Sequence, residues 1–358
     1  MPNLRFSGFG GEWEREKLRD KCSFYSGGTP SSSNKSYYNG EIPFIRSGEI
    51  SGDSTELFLS EFGLNNSSAK MVDIGDLLLA LYGATSGQIA ISKIRGAINQ
   101  AILCIKSSYD NIFLKSVWEK HVDKILQAYL QGGQGNLSAD IVKNLSFYFP
   151  SLDEQNKISK LIVLIDERIE TQNKIIEQLQ SLIKGIVVSI TAETPNARID
   201  KCIVCHSSTL QENNIEDFGD FPVYGANGIC GYTVNADFNE PAILIVKDGS
   251  GVGNVRFVNG RYSVIGTQNI LTSQNEICLK YIFYCLQAFN FVPYKTGMAI
   301  PHIYFKDYGK AKIYCPNFEQ QVKIASQIDL IESKIEIETQ LLNKYEEQKN
   351  FLLSNMFI

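Results

Sequence analysis

The sequence predicts an α+β protein: two related β-rich heads in tandem, separated by a long antiparallel two-helix coiled coil. Three observations carry this. The stretch FYFPSLDEQNKISKLIVLIDERIE at 147–170 returns as IYCPNFEQQVKIASQIDLIESKIE at 313–336, a shift of 166 residues. A heptad seam follows each copy, and glycine-rich turns at 83–87 and 248–253 sit in equivalent places upstream. The chain of 358 residues suits two domains of about 150 residues with some chain left over. A period this long is too large for a solenoid repeat and indicates duplication of a whole domain with its trailing segment. The expected parts are a first head at 1–150, a helix at 151–191, a second head at 192–315 and a second helix at 316–358.

In the first head, runs at 76–82, 88–94 and 98–105 read as strands, with the turn at 83–87 between the first two. The first helix starts after Pro150, where Asp153 and Glu154 favour a helix N-terminus. Its seam runs Ile158, Ile162, Ile165, Ile169, Gln172, Ile176, Leu179, Ile183, Ile186, in alternating steps of four and three. The second head repeats the pattern with runs at 242–247, 254–258 and 269–272. The second helix follows Pro316, with a seam of Ile324, Ile328, Ile331, Ile335, Glu338, Leu342, Tyr345, Lys349 and Leu352. Both seams carry a polar residue at the same place, Gln172 and Glu338, which weakens packing and fixes register. The competing reading is an amphipathic helix lying on its own head, for which a wider apolar face is expected. The second head begins almost where the first helix ends, so the second helix most simply runs back antiparallel, giving a dumbbell.

Composition narrows the function. An apolar fraction of 44% and a charged fraction of 20% exclude a disordered or collagen-like chain. The N-terminus has no apolar h-region, and the longest unbroken apolar run, 77–82, is far below the roughly 20 residues of a membrane helix. The expectation is a cytoplasmic chain without membrane contact, its eight cysteines reduced. The net charge of −5 argues against an indiscriminate nucleic-acid binder. Its distribution softens that argument: 1–150 holds 15 basic and 15 acidic residues and 194–315 holds 10 of each, so the excess lies wholly in the helices and both heads are neutral.

No phosphate-binding GxxxxGK[ST] loop and no amino-methyltransferase motif is present, and three histidines leave little room for a nucleophilic triad. Gly249, Gly251 and Gly253 lie between two strand-like runs, the wrong context for a dinucleotide loop. Cys202, Cys205 and His206 match a haem-attachment string and could begin a zinc site, but the partner ligands are missing from the pattern, so cysteines on an early strand are the plainer reading. No catalytic residue, metal or cofactor is therefore assigned to this chain.

Trp13-Glu14, Lys17-Leu18, SGGTPS at 26–31, Tyr37-Tyr38 and GEIP at 40–43 resemble the start of a target-recognition domain of the DNA specificity subunits of type I restriction-modification enzymes. YGATSGQ at 82–88 and Asn99-Gln100-Ala101-Ile102 are similar to its middle, FPVYGANG at 221–228 and KDGSGVGN at 247–254 to the same family in a second dialect, and 150–165 and 316–331 to its spacer helices. The resemblance implies a non-catalytic recognition subunit. Each head would read one half of a split double-stranded DNA target, and the rod would set the gap. The rod would also dock two methyltransferase subunits, with restriction/translocase subunits joining the assembly. S-adenosylmethionine and ATP-Mg would belong to those partners. The alternative from another class is a coiled-coil scaffold joining two protein-binding heads without DNA recognition.

For DNA, loop-borne basic residues suit phosphates, and Asn, Gln, Arg and Tyr suit base edges. The candidates are Lys35, Tyr37, Arg46, Tyr82, Thr85, Ser86 and Gln134 in the first head. In the second they are Tyr224, Asn227, Lys247, Ser250, Arg256, Lys295 and His302.

Overall fold

The computed structural model describes residues 1–129, 136–274, 276–297 and 300–358, and of Asn214 the backbone alone. The chain forms two compact units. The first is Met1–Asn173 with Leu341–Ile358, and the second is Lys174–Gln340. Each long helix, Leu152–Ala192 and Phe318–Met356, thus contributes to both units.

The first unit holds two four-stranded sheets. One runs in the order Cys22–Ser26, Ile102–Ser107, Leu77–Ala80, Ile89–Ile91 and is antiparallel throughout. The other runs Leu57–Leu59, Tyr38–Ile45, Gly96–Ile98, Lys70–Val72, with its two central strands parallel. Leu77–Ala80 is buried on both faces, which is why it reads as an unbroken apolar run and not as an alternation. Leu77 and Leu79 join Trp118 and Phe113 of the helix Asn111–Tyr129, while Leu78 and Ala80 join Ile45, Val72 and Ile98 of the second sheet.

The second unit repeats the arrangement. Its larger sheet is ordered Ile203–Ser207, Gln268–Ser273, Ala242–Val246, Val255–Val258. Its smaller sheet is ordered Gly228–Thr233, Phe221–Gly225, Ser263–Val264, again with a parallel pair. The first strand of the larger sheet follows its counterpart by 181 residues and the later ones by 166, because the first unit carries a longer connection between them.

One strand expectation fails. The run at 98–105 is two strands, Gly96–Ile98 and Ile102–Ser107, in different sheets. Asn99 breaks it: its side-chain Oδ1 accepts from Ala101 N at 3.0 Å and turns the chain from one sheet to the other.

The start of each long helix is clamped by the same residue. Gln155, 1% exposed, accepts from Asp110 N at 3.1 Å and donates to Pro150 O at 2.9 Å. Gln321, 2% exposed, accepts from Cys278 N at 3.0 Å and donates to Pro316 O at 2.7 Å. The duplicated Pro-x4-Gln spacing is therefore a helix anchor.

The seams are broader at their ends than a strict heptad. In the first unit the helix buries Glu154, Gln155, Ile158, Ser159, Ile162 and Ile165, and Arg5 pairs with Glu154 at 2.7 Å. Over these turns the helix lies on its own head, as the competing reading held, and one face is wider than two residues in seven. Leu352, Leu353, Met356 and Phe357 from the end of the second helix enter the same core. Lys349 reaches Asp166 at 2.9 Å and Arg168 lies over the Tyr345 ring, so the two segments run antiparallel. Ile169 and Ile176 are half-buried, as are Ile331, Ile335 and Leu342, while Gln172 and Glu338 are buried. In the second unit Val187 and Ile190 share a core with Ala325 and Ile328, and Ile324 packs at its edge.

Leu152–Ala192 is also long and apolar enough to cross a membrane by length and composition, with a mean hydropathy of 1.3 over 18 residues. Unbroken runs concealed this, because charged residues punctuate the helix. Its apolar side chains at both ends pack into the unit cores.

Candidate nucleic-acid interface

The glycine-rich turns are superimposable in hydrogen bonding. Gly87 N donates to Ala80 O at 2.8 Å, and Gly253 N to Val246 O at 2.9 Å. Gln88 N donates to Thr85 O and Asn254 N to Gly251 O, both at 2.9 Å. Leu81 N bonds Ala101 O and Leu137 N bonds Leu81 O, while Lys247 N bonds Thr267 O and Ile303 N bonds Lys247 O. Every one of these pairs is separated by 166 residues. Gly87 and Gly253 both have positive φ, +87° and +92°, which an L side chain rarely adopts. The register seen in the helices thus extends to the loops, and what differs is the side chains the turns carry.

In the second unit the structure brings most of the candidates into two groups. Lys247 and His302 lie on a short ladder, since Asp248 bridges His302, and His302 N and O exchange bonds with Thr296 at 2.8 and 2.9 Å. Exposed Lys295 adjoins Thr296, and exposed Ser250 caps the neighbouring turn, where Gly249 N bonds Pro301 O at 3.0 Å. Tyr304 and Lys306, absent from the candidates, belong to this group. Tyr304 is exposed, its ring 5.7 Å from that of His302 and beneath the Lys306 ammonium. The alternation His302-x-Tyr304-x-Lys306 was the signal available. The second group is on the smaller sheet. The Arg256 guanidinium lies over the Tyr224 ring and against Gly228, beside the exposed Asn227 turn.

The first unit is less basic. Lys35 is exposed at the start of a short helix, and Tyr37 packs its half-buried ring on Phe62 at 5.5 Å. Tyr82 is exposed at 37%, Thr85 is half-buried, and Ser86 turns inward to donate to Leu81 O at 3.0 Å. Ser86 therefore holds the turn and does not present its hydroxyl outward. Behind this turn lies a groove of about 540 Å³ walled by Ile50, Gln88, Trp118 and Leu126. Gln134 lies outside the described residues.

Arg46 is corrected from phosphate ligand to loop brace. Its guanidinium meets Glu49 at 3.1 Å and Glu56 at 2.5 Å, and its pKa is driven further up by those hydrogen bonds. Two carboxylates on one guanidinium leave the group with no net positive field for a phosphate.

The Cys202–His206 string resolves as the plainer reading has it, with one change. Cys202 ends the short helix Ile199–Cys202, Cys205 lies on the strand, and His206 Nε2 meets Thr272 Oγ1 across the sheet at 2.9 Å. Burial pushes the Cys205 thiol up to about 11. Among the described residues no three His, Cys, Asp or Glu side chains converge as a metal site.

These features define a duplicated α+β chain in which one scaffold presents two unlike loop surfaces. The chain belongs to the family described as the type I restriction modification DNA specificity domain, whose model matches residues 10–181 and 203–347. It is 26% identical over 182 residues to the type I restriction enzyme MjaIX specificity subunit of Methanocaldococcus jannaschii, covering 47% of this chain and 42% of that one. It is 27% identical over 109 residues to the EcoprrI specificity subunit of Escherichia coli, covering 30% and 27%. The matched regions span less than half the length of these relatives. The type I restriction-modification S subunit from M. genitalium shares the fold, with a TM-score of 0.68 at 16% identity, over 100% of this chain and 99% of that one. A chain from a study of complex assembly and conformational transition of the type I R-M system does so at 0.56 and 15% identity, over 96% and 97%.

Proposed function

We propose that this chain is the sequence-specific DNA-binding subunit of a type I restriction-modification complex and has no catalysis of its own. Each unit reads one half of a split target in double-stranded DNA, and the two long helices set the gap. One helical turn, about 34–36 Å, is the natural spacing for half-sites read from one face. Two methyltransferase subunits dock on the helices, restriction/translocase subunits join them, and S-adenosylmethionine and ATP-Mg are bound by these partners in the cytoplasm. The observation that carries this reading is the pair of turns built on one register with unlike side chains. Where the second unit has Lys247, Ser250 and Arg256, the first has Leu81, Ala84 and Ala90. One backbone frame with two sets of contacts is what reading two different half-sites requires.

In the second unit Lys247, Lys295 and Lys306 are assigned to phosphates, and Asn227, Arg256, Tyr224, Ser250 and His302 to base edges or their sugars. In the first, Lys35 takes phosphate and Tyr37, Tyr82, Thr85 and Gln134 the bases. The test is methylation mapping of DNA from cells expressing this chain with its neighbouring methyltransferase subunit, against cells lacking it. The expected result is a new split motif of two short halves with a fixed gap, altered or lost when one heptad is removed from both helices. Complex formation without any new methylated motif refutes the reading.

A further inference from the structure

The second unit holds three thiols that the recognition role does not use. Cys202 is 2% exposed at the end of its short helix, Cys285 is 3% exposed on the helix Leu279–Gln287, and Cys315 is half-buried just before the second long helix. All three are reduced. The strand pairing Ala197↔Ile313 and Arg198↔Lys312 brings the two segments together at the base of the unit. Asn196 then fixes the Cys315 backbone from both sides, accepting from Cys315 N at 2.7 Å and donating to Cys315 O at 3.0 Å. Gln321, the helix anchor, donates to Cys315 Sγ at 3.4 Å. Held this way, the Cys315 sulfur accepts a hydrogen bond from the Cys202 thiol. A cavity of about 150 Å³ walled by Cys285, Ile313 and Tyr314 reaches the same cluster. The equivalent positions of the first unit are Lys21 and Phe149, so the thiol pair is peculiar to the second.

We propose that Cys202 and Cys315 form a reversible oxidation site, closed to a disulfide by a small hydroperoxide such as hydrogen peroxide. The Cys315 thiolate attacks one peroxide oxygen. The O–O bond breaks, the departing hydroxide takes up a proton as water, and Cys315 becomes a sulfenic acid. The Cys202 sulfur then attacks the Cys315 sulfur and passes its proton to the hydroxide leaving from it, which departs as a second water. Two thiols are oxidised and one peroxide is reduced to two waters. The roles follow from the surroundings. The hydrogen bond from Cys202 lowers the pKa of Cys315 and favours its thiolate, whereas burial raises Cys285 to about 12 and keeps it a thiol. The bond would tie the entry of the second unit to the start of the second long helix, leaving the first unit untouched.

The test is peptide mapping of the full-length protein by mass spectrometry, without reduction, after brief treatment with hydrogen peroxide. The expected product is a peptide pair joining Cys202 to Cys315 with the loss of two hydrogens, reopened by dithiothreitol. It should persist in Cys285→Ala and vanish in Cys315→Ser. Because wild-type protein supplies the main readout, a variant that fails to fold does not decide the matter. Cys315 advancing to sulfinic acid without a cross-link, a Cys285–Cys315 bond, or both thiols staying reduced while exposed Cys230 oxidises overturns the proposal. None of these outcomes bears on whether the chain recognises DNA.

Discussion

Replacing Gln155 with leucine tests whether the helix anchor holds the first unit together. Leucine fills a similar volume but makes neither hydrogen bond. Asp110 N–H loses its acceptor and Pro150 C=O its donor, both beside a side chain only 1% exposed. An orphaned buried polar group costs about 1–3 kcal/mol. Two of them give roughly 2–6 kcal/mol, offset by about 1–2 kcal/mol from the added apolar burial. The net expectation is a loss of about 2–4 kcal/mol, with Gln321→Leu costing the second unit a similar amount through Cys278 N and Pro316 O. The assay is urea unfolding followed by tryptophan fluorescence, since both tryptophans, Trp13 and Trp118, lie in the first unit. Gln155→Leu should shift that transition to lower urea, and Gln321→Leu should leave it nearly in place while shifting the far-ultraviolet signal of the second unit. A change under about 0.5 kcal/mol for Gln155→Leu would mean that water replaces the side chain and that the Pro-x4-Gln motif is not an anchor.

Three further outcomes follow from the same geometry. Gly87→Ala would place a Cβ 2.9 Å from Val122 Cγ2 at a φ of +87°, and Gly253→Ala one 3.2 Å from Phe291, so each should lose about 1–3 kcal/mol in a thermal melt. Lys349 sits between Glu119 and Asp166; burial lowers its pKa, but the two carboxylates outweigh this and raise it above the ordinary lysine value. Its contribution is therefore complete below the unfolded-state pKa near 10.5 and fades as the pH rises through the higher folded value, and Lys349→Met should flatten that alkaline fall in stability. Lys247→Ala and Lys295→Ala, measured in the methyltransferase complex, should each lower the slope of log K against log salt by about 0.9, whereas Arg46→Ala should leave it unchanged because its charge is already met. Slopes that do not move for either lysine would refute the phosphate assignments.

The sequence by itself determined the duplication, the two heptad helices and the places of the glycine turns. These are properties of spacing. A 166-residue shift, a step of three and four, and a glycine where φ must be positive are all written along one dimension. It also marked the strand Leu77–Ala80, because a strand buried on both faces must be apolar at every position. Contacts between residues far apart in the chain were decided only by the tertiary structure. Arg46 reads as a loop cation until Glu49 and Glu56 fold onto it. Tyr304 and Lys306 join Lys247 only because Ile303 N bonds Lys247 O, 56 residues back along the chain. The run at 98–105 looks continuous until Asn99 sends its halves into separate sheets. Cys202 and Cys315 meet for the same reason, through a strand pair whose partners lie more than a hundred residues apart. Periodicity is local and survives in the sequence, whereas side-chain meeting depends on sheet register and helix docking, which many side chains set together.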